Sequence, residues 1–195
     1  MTEFTRKYED GLTRCIWPGK DPLYVDYHDN EWGVQVDEEN ALFEAICLEG
    51  FQAGLSWITI LKRREGFRKA FYNFEIARVA KMTGRNVESL MKNDQIIRNR
   101  AKIVSAISNA KTALSLDTSL KDLIWSHAPS IKTRRVSAKN FEYLATSKES
   151  EALSKTLRGL GFSFVGPTTM YAMMQSIGMV NDHAPGCFRR SQLRD

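Results

Sequence analysis

From Trp57 to about Ser115 the apolar residues recur at every third or fourth position, segment after segment. Phe67, Ala70 and Phe71 make one such set. Ile76, Val79, Ala80 and Met82 make the next, followed by Val87, Leu90 and Met91, and then by Ile103, Ala106, Ile107 and Ala110. That spacing follows the 3.6-residue turn of an α-helix, and the period-two alternation of a half-buried strand is scarce. The expected fold class is therefore all-α.

The flanking segments extend the pattern. Tyr24, Tyr27 and His28 lie at helical spacing behind Asp21 as a cap and Pro22 at the first helical position. Asp37 is the expected N-cap of a helix carrying Ala41, Leu42, Ala45 and Ile46. Gly50 and Gly54 are expected to bracket a break, with Ser56 capping a second helix that begins at Trp57. Further helices are expected at Leu120 to Trp125, Ser150 to Leu160 and Thr168 to Gly178. Ala128 to Lys139, with Lys132, Arg134 and Arg135, reads as a basic loop: a solvated face, or a phosphate contact.

With 195 residues and 43% hydrophobic content, the chain can bury one core. Residues 1–14 are expected to form a flexible extension, and residues 15–195 a single helical domain, with room for two lobes and a pocket between them. No apolar run approaches a membrane span, and the polar start lacks the apolar centre of a signal peptide. A cytoplasmic protein with no membrane partner is expected. The net charge of +5 suits a polyanionic partner without requiring one.

Three constellations carry chemistry. In the first, Glu49 ends the Asp37 helix, where the dipole disfavours a negative charge. Beside it stand Tyr27 and Trp57, with Trp17 and Trp32 of the same type nearby in sequence. Planar rings around an acid suit a nucleobase; rings in a core are the ordinary alternative. In the second, Cys15 and His28 near one end, and His183 and Cys187 near the other, would fill a tetrahedral zinc site and leave no position open for water. The other reading is two buried thiols and two ordinary histidines. The third cysteine, Cys47, falls on an apolar helix face and is assigned to the core. The third constellation is Gly161-Phe162-Ser163-Phe164-Val165-Gly166-Pro167-Thr168, between two helices. Backbone N–H groups around Gly161, Phe162, Val165, Gly166 and Thr168 would suit a phosphate, and a plain helix connection is the alternative.

At these residues the chain resembles the DNA-3-methyladenine glycosylase I family. The resemblance rests on Tyr27 to Val34, Leu48 to Trp57, Gly161 to Thr169 and Asn181 to Cys187, and covers the chain beyond Arg14. It implies a helix-hairpin-helix DNA glycosylase fold with a structural zinc site joining the N- and C-terminal segments. It implies one zinc ion held by Cys15, His28, His183 and Cys187, and a flipped 3-methyladenine against Tyr27 and Trp57 with Glu49 on its polar edge. Gly54 and Leu55 match the position where the family fills the gap left in the duplex. The implied activity is hydrolysis of the N-glycosidic bond in alkylated double-stranded DNA, by a monomer. Relatives that also nick the strand carry a lysine after the hairpin; here Gly166-Pro167-Thr168-Thr169 offers no amine. Where many relatives place a catalytic aspartate, this chain has Asn181, with Asp182 adjacent. A monofunctional enzyme is expected. The competing reading is a non-catalytic zinc-stabilised helix-hairpin-helix module that binds DNA only.

Overall fold

The computed structural model describes residues 3–193. The chain begins with a small antiparallel hairpin of β1 (Thr5–Lys7) and β2 (Thr13–Cys15), in which Thr5 faces Cys15. The hairpin occupies much of the segment expected to be a loose extension. Arg14 accounts for part of the difference: its guanidinium reaches both Asp10 and Asp29, tying the hairpin to the first helix. Alternation over three residues is too short a signal to read as a strand.

Helices follow in series: α1 (Pro22–Asn30), α2 (Glu39–Gln52), α3 (Trp57–Leu61), α4 (Arg64–Ala70), α5 (Ile76–Val79), α6 (Gly84–Leu90), α7 (Arg100–Leu114), α8 (Leu120–Trp125), α9 (Lys148–Gly159), α10 (Pro167–Ser176) and α11 (Phe188–Gln192). Local chemistry starts several of them. Asp21 caps α1, with Pro22 at its first position, as expected. Asn99, Ser119 and Ser147 accept from backbone N–H groups at the starts of α7, α8 and α9. Each such cap contributes about 1 kcal/mol. At α2 the cap is Glu38, which accepts from Ala41 N at 2.7 Å, and not Asp37. Asp37 pairs instead with Lys121. None of the described helices is long and apolar enough to cross a membrane.

α2 is the central element. Its residues Ile46 to Phe51 are all buried, so the second half of the helix is enclosed on every side. It packs against α3, α7, α8 and α10. Phe43, Phe51, Phe67, Phe71 and Phe74 fill the main core around it, each worth about 1.5–3 kcal/mol of burial. Cys47 lies in this core, as expected. A second cluster gathers Cys15, Tyr27, Trp32, Leu61, Phe141 and Cys187, and Trp57 packs on both clusters.

Gly50 lies inside α2, so only Gly54 breaks the chain there, at φ +82°. Gly50 serves a close approach: a Cβ at this position would stand 3.3 Å from the Cβ of Phe164. Gly178 ends α10 at φ +72°, where a Cβ would fall 2.5 Å from the backbone of Val34. Only glycine fits both the conformation and the space.

Candidate active site

Two turns of α1 and α2 face each other. Tyr24 and Tyr27 stand one turn apart on α1, and Glu49 and Gln52 one turn apart on α2. Trp17, from the turn after β2, and Trp32, just beyond α1, stand beside them. Trp57 opens α3, and Ala172 and Gln175 come from α10. With Tyr143 and Leu144 these side chains line a cavity of about 280 Å³. That is the low end of ligand cavities and suits one flat heterocycle.

The rings are set at steep angles around it, Trp17 edge-on to Trp32 and the Tyr27–Trp57 and Trp17–Tyr24 pairs tilted. Tyr27 and Trp57 lie 5.5 Å apart between centroids, and Trp17 lies 5.0 Å from Trp32 and 4.9 Å from Tyr24. Glu49 is 3% exposed. Burial pushes its carboxyl up to about 8, and the carboxylate in turn pushes Tyr24 and Tyr27 up, after their own burial. Glu49 Oε2 and Trp57 Nε1 are both buried without a hydrogen-bond partner. An orphaned acceptor and an orphaned donor on the wall of one cavity are costly, and such groups are normally satisfied. A planar ligand with its own donors and acceptors would satisfy them. The five residues read from the sequence as base-contacting, Tyr27, Trp57, Glu49, Trp17 and Trp32, thus meet around one space. Gln52, Tyr143, Leu144, Ala172 and Gln175 were not legible as its walls. The first has the signal of a turn-spaced partner to Glu49, and Tyr143 and Leu144 carry none, lying in irregular chain.

Behind Trp17 and Trp32 the two chain ends converge. The ligand atoms of Cys15, His28, His183 and Cys187 all lie within 4.8 Å of one another. His183 Nδ1 is 3.2 Å from His28 Nε2; the Cys187 sulfur is 3.5 Å from each, and the Cys15 sulfur is 3.8 Å from His183 Nδ1. Zinc bonds of about 2.3 Å to sulfur and about 2.0–2.1 Å to nitrogen give tetrahedral edges of roughly 3.3–3.8 Å, so the spacing fits one ion. Each imidazole aims one nitrogen inward and is oriented through the other: His28 Nδ1 to Asp29 at 2.7 Å, and His183 Nε2 to the Trp32 carbonyl at 3.0 Å. Burial holds His183 toward the neutral, ligating form. Hydrogen bonding from Cys15 holds the Cys187 thiol down toward thiolate, while burial pushes Cys15 up.

Asn181 and Asp182 stay outside the cavity. Asn181 donates to the carbonyls of Arg190 and Leu193, fastening α11. Asp182 accepts from Tyr171 at 2.6 Å, Gln175 at 2.9 Å and Arg134 at 3.2 Å. Arg134 also donates to the Glu142 carbonyl, and Asn181 N to that of Lys132. The basic loop is therefore fastened to the C-terminal segment through Arg134 and is not wholly a solvated face.

α9 and α10 pack together, joined by residues 160–166. Gly161 lies at φ +100° and Phe164 at φ +59°. Phe162 and Val165 point into the core, so any outside partner of these two meets only their backbone. Gly166 is the N-cap residue of α10 and has no side-chain cap; Arg158 lies over it, with Nη2 3.3 Å from where a Cβ would stand. Ala53, Gly54, Leu55 and Ser56 form an exposed loop after α2, and Leu55 is 41% exposed. Lys102 of α7 holds its base by donating to the carbonyls of Phe51 at 2.8 Å and Ala53 at 2.5 Å.

A sequence model of the methyladenine glycosylase family matches residues 17–190. DNA-3-methyladenine glycosylase 1 of Escherichia coli is 46% identical over 182 residues, which are 90% of this chain and 96% of that protein. The DNA-3-methyladenine glycosylase of Haemophilus influenzae is 45% identical over the same shares. The solved structure of 3-methyladenine DNA glycosylase I from Staphylococcus aureus, determined to explain 3-methyladenine recognition, superposes with a TM-score of 0.84 at 32% identity, covering 91% of this chain and 96% of that one.

Proposed function

The chain belongs to the methyladenine glycosylase family, and from that premise we propose that it excises 3-methyladenine from alkylated double-stranded DNA. The observation that carries the reading is the buried Glu49 carboxylate with an oxygen left unpaired, on the wall of a cavity of aromatic rings. The curated relatives are glycosylases, so the enzyme reading stands ahead of the binding-module one.

Methylation at N3 makes the adenine cationic in DNA, so the base leaves as a neutral molecule without being protonated. Water adds to the deoxyribose carbon as the bond to the base nitrogen breaks and gives up a proton to solvent, leaving an abasic site. Flipping costs a few kcal/mol, least for a damaged base. Stacking against Tyr27 and Trp57, with Trp17 and Trp32 enclosing the site, offsets that cost. Glu49 is the catalytic group: it accepts from the polar edge of the base and stabilises positive charge near the sugar. With no lysine after the hairpin, the reaction stops at the abasic site.

The α9–α10 pair acts as a helix-hairpin-helix element. Backbone groups around Gly161, Phe162, Val165, Gly166 and Thr168 hold a phosphate, while Gly54 and Leu55 enter the space the base vacates. Arg158 adds a cation beside the same turn. One zinc ion on Cys15, His28, His183 and Cys187 joins the chain ends; four protein donors leave no open position, so its part is structural. The walls of the cavity run from Trp17 to Gln175, in keeping with one domain over residues 15–195; a monomer working in the cytoplasm is part of the same proposal.

Incubation with methylated duplex DNA, followed by chromatography of the released bases, tests the reading. Free 3-methyladenine from the wild type, with much less from Glu49→Gln, is expected. No released base from metal-loaded protein that binds DNA would overturn it.

A further inference from the structure

Phe164 combines three unusual properties. Its φ of +59° lies in the left-handed region, where a bulky aromatic residue is strained. The residue is 38% exposed. Its backbone is nevertheless held from both sides. Phe162 and Val165 are buried anchors, and Ser154 donates to the Val165 carbonyl at 2.6 Å. Ser163 is locked onto α7: its carbonyl accepts from Asn109 at 3.0 Å, its N–H donates to Asn109 at 2.9 Å, and its hydroxyl meets Ser105 at 2.7 Å. The surroundings over-determine the backbone of an aromatic residue that is left in part exposed to solvent.

The direction of the turn places that ring. Residues 161–164 run backward along α7, from Thr112 beside Gly161, past Asn109 and Ser105 beside Ser163, to Lys102, which shares a small cleft with Phe164. Lys102 is the residue that holds the Ala53 carbonyl at the foot of the Leu55 loop. Phe164 also rests on Gly50, the neighbour of Glu49, and Gly50 has no side chain to obstruct it. Two exposed apolar side chains, Leu55 and Phe164, thus stand at the C-terminal end of α2, on separate supports.

We propose that Phe164 is a second DNA contact, packing its ring on a base or sugar next to the nucleotide that is extruded. The inference rests on the duplex-DNA reading above. An aromatic ring contacts any base through its π-face and carries no charge, so the contact adds affinity without adding to the salt dependence. The held conformation means that little ordering is required on binding.

Fluorescence anisotropy with a duplex carrying a stable abasic analogue tests it, across a salt series, for wild type, Phe164→Ala, Phe164→Asn and Phe164→Tyr. Asn accepts the left-handed conformation, so one variant keeps the turn if Ala disturbs it. Affinity about tenfold weaker is expected for Ala and Asn, the scale of one aromatic stack. Tyr should keep wild-type affinity. The salt slope and the binding of free 3-methyladenine should be unchanged in all three. Unchanged duplex affinity in Ala and Asn overturns the proposal. So does a parallel loss of free-base binding, which would make Phe164 a brace under the Glu49 helix. A wild type that binds free base but ignores the duplex overturns the DNA reading, and this inference with it.

Discussion

The Nε2 atom of His183 lies 3.0 Å from the carbonyl oxygen of Trp32. One member of the Cys/His cluster thus holds a wall of the aromatic cavity. The Trp32 ring also stands 4.6 Å from His183 between centroids, and the Trp17 ring 5.2 Å from His28. Stripping the proposed metal from this cluster should therefore loosen two cavity walls before the helical core yields. Binding of free 3-methyladenine, followed by tryptophan fluorescence, should weaken at least about fivefold in metal-stripped protein whose helical circular dichroism is retained. Reciprocity requires that saturating base slow metal release to a chelator by a comparable factor. Equal release rates with and without base would show that cluster and cavity are independent.

Glu49 sets a pH dependence with a definite sign. Its carboxyl is raised from 4.5 to about 8 by burial, so the folded protein keeps a proton that the unfolded chain releases. Stability from this group is full below about pH 4.5 and falls as pH rises toward 8. Glu49→Gln should flatten that fall and be the more stable protein at pH 9 in urea titrations, by up to ~5 kcal/mol. Activity should run the other way. If the carboxylate is the working form, kcat/KM for base release rises with pH toward 8 in the wild type and stays low and flat in the variant.

Arg158 should reveal itself through salt. A guanidinium that neutralises one phosphate contributes about 0.9 to the slope of log affinity against log salt. Arg158→Ala should reduce that slope by about one and weaken duplex binding at low salt, leaving free-base binding alone. An unchanged slope would remove Arg158 from the DNA-facing surface.

Gly66 should reverse a common rule. Replacing a glycine inside a helix by alanine ordinarily stabilises by about 1 kcal/mol. In α4 a Cβ on Gly66 would stand 2.3 Å from the Gln95 carbonyl oxygen, which is backbone and cannot rotate away. Gly66→Ala should lose about 1–3 kcal/mol in urea denaturation. A gain would mean that the 91–99 segment shifts freely off α4.

The helical order was legible because apolar spacing and caps agree along most of the chain. Leu120 to Trp125 and Pro22 with its Asp21 cap fall where the sequence places them. The cavity residues were legible by chemical type, since an acid at a helix C-terminus and a cluster of rings both stand out. What stayed hidden depends on long-range closure. The β1–β2 hairpin is too short to show a period, and Asp37, the better cap by type, pairs with Lys121 while Glu38 accepts from Ala41 N. The role of Lys102 carries no local signal, because its acceptors, the carbonyls of Phe51 and Ala53, come from the end of α2 and the residue after it, 49–51 positions earlier. Tyr143 and Leu144 reach the cavity along irregular chain anchored by Arg134, which no local pattern announces.

The cluster at the chain ends has a consequence in time. Cys15 and His183 are 168 positions apart, which a ribosome working at about 5–20 residues per second spans in roughly ten to thirty seconds. Through that interval α1 through α10 emerge, the Glu49 helix among them. Trp32 still lacks the imidazole that holds its carbonyl, and Cys15 lacks the backbone N–H of Ala184 that it later accepts from. Competence to grip a base thus waits on the segment around His183, and a chain interrupted before it is left with helices but without a finished cavity.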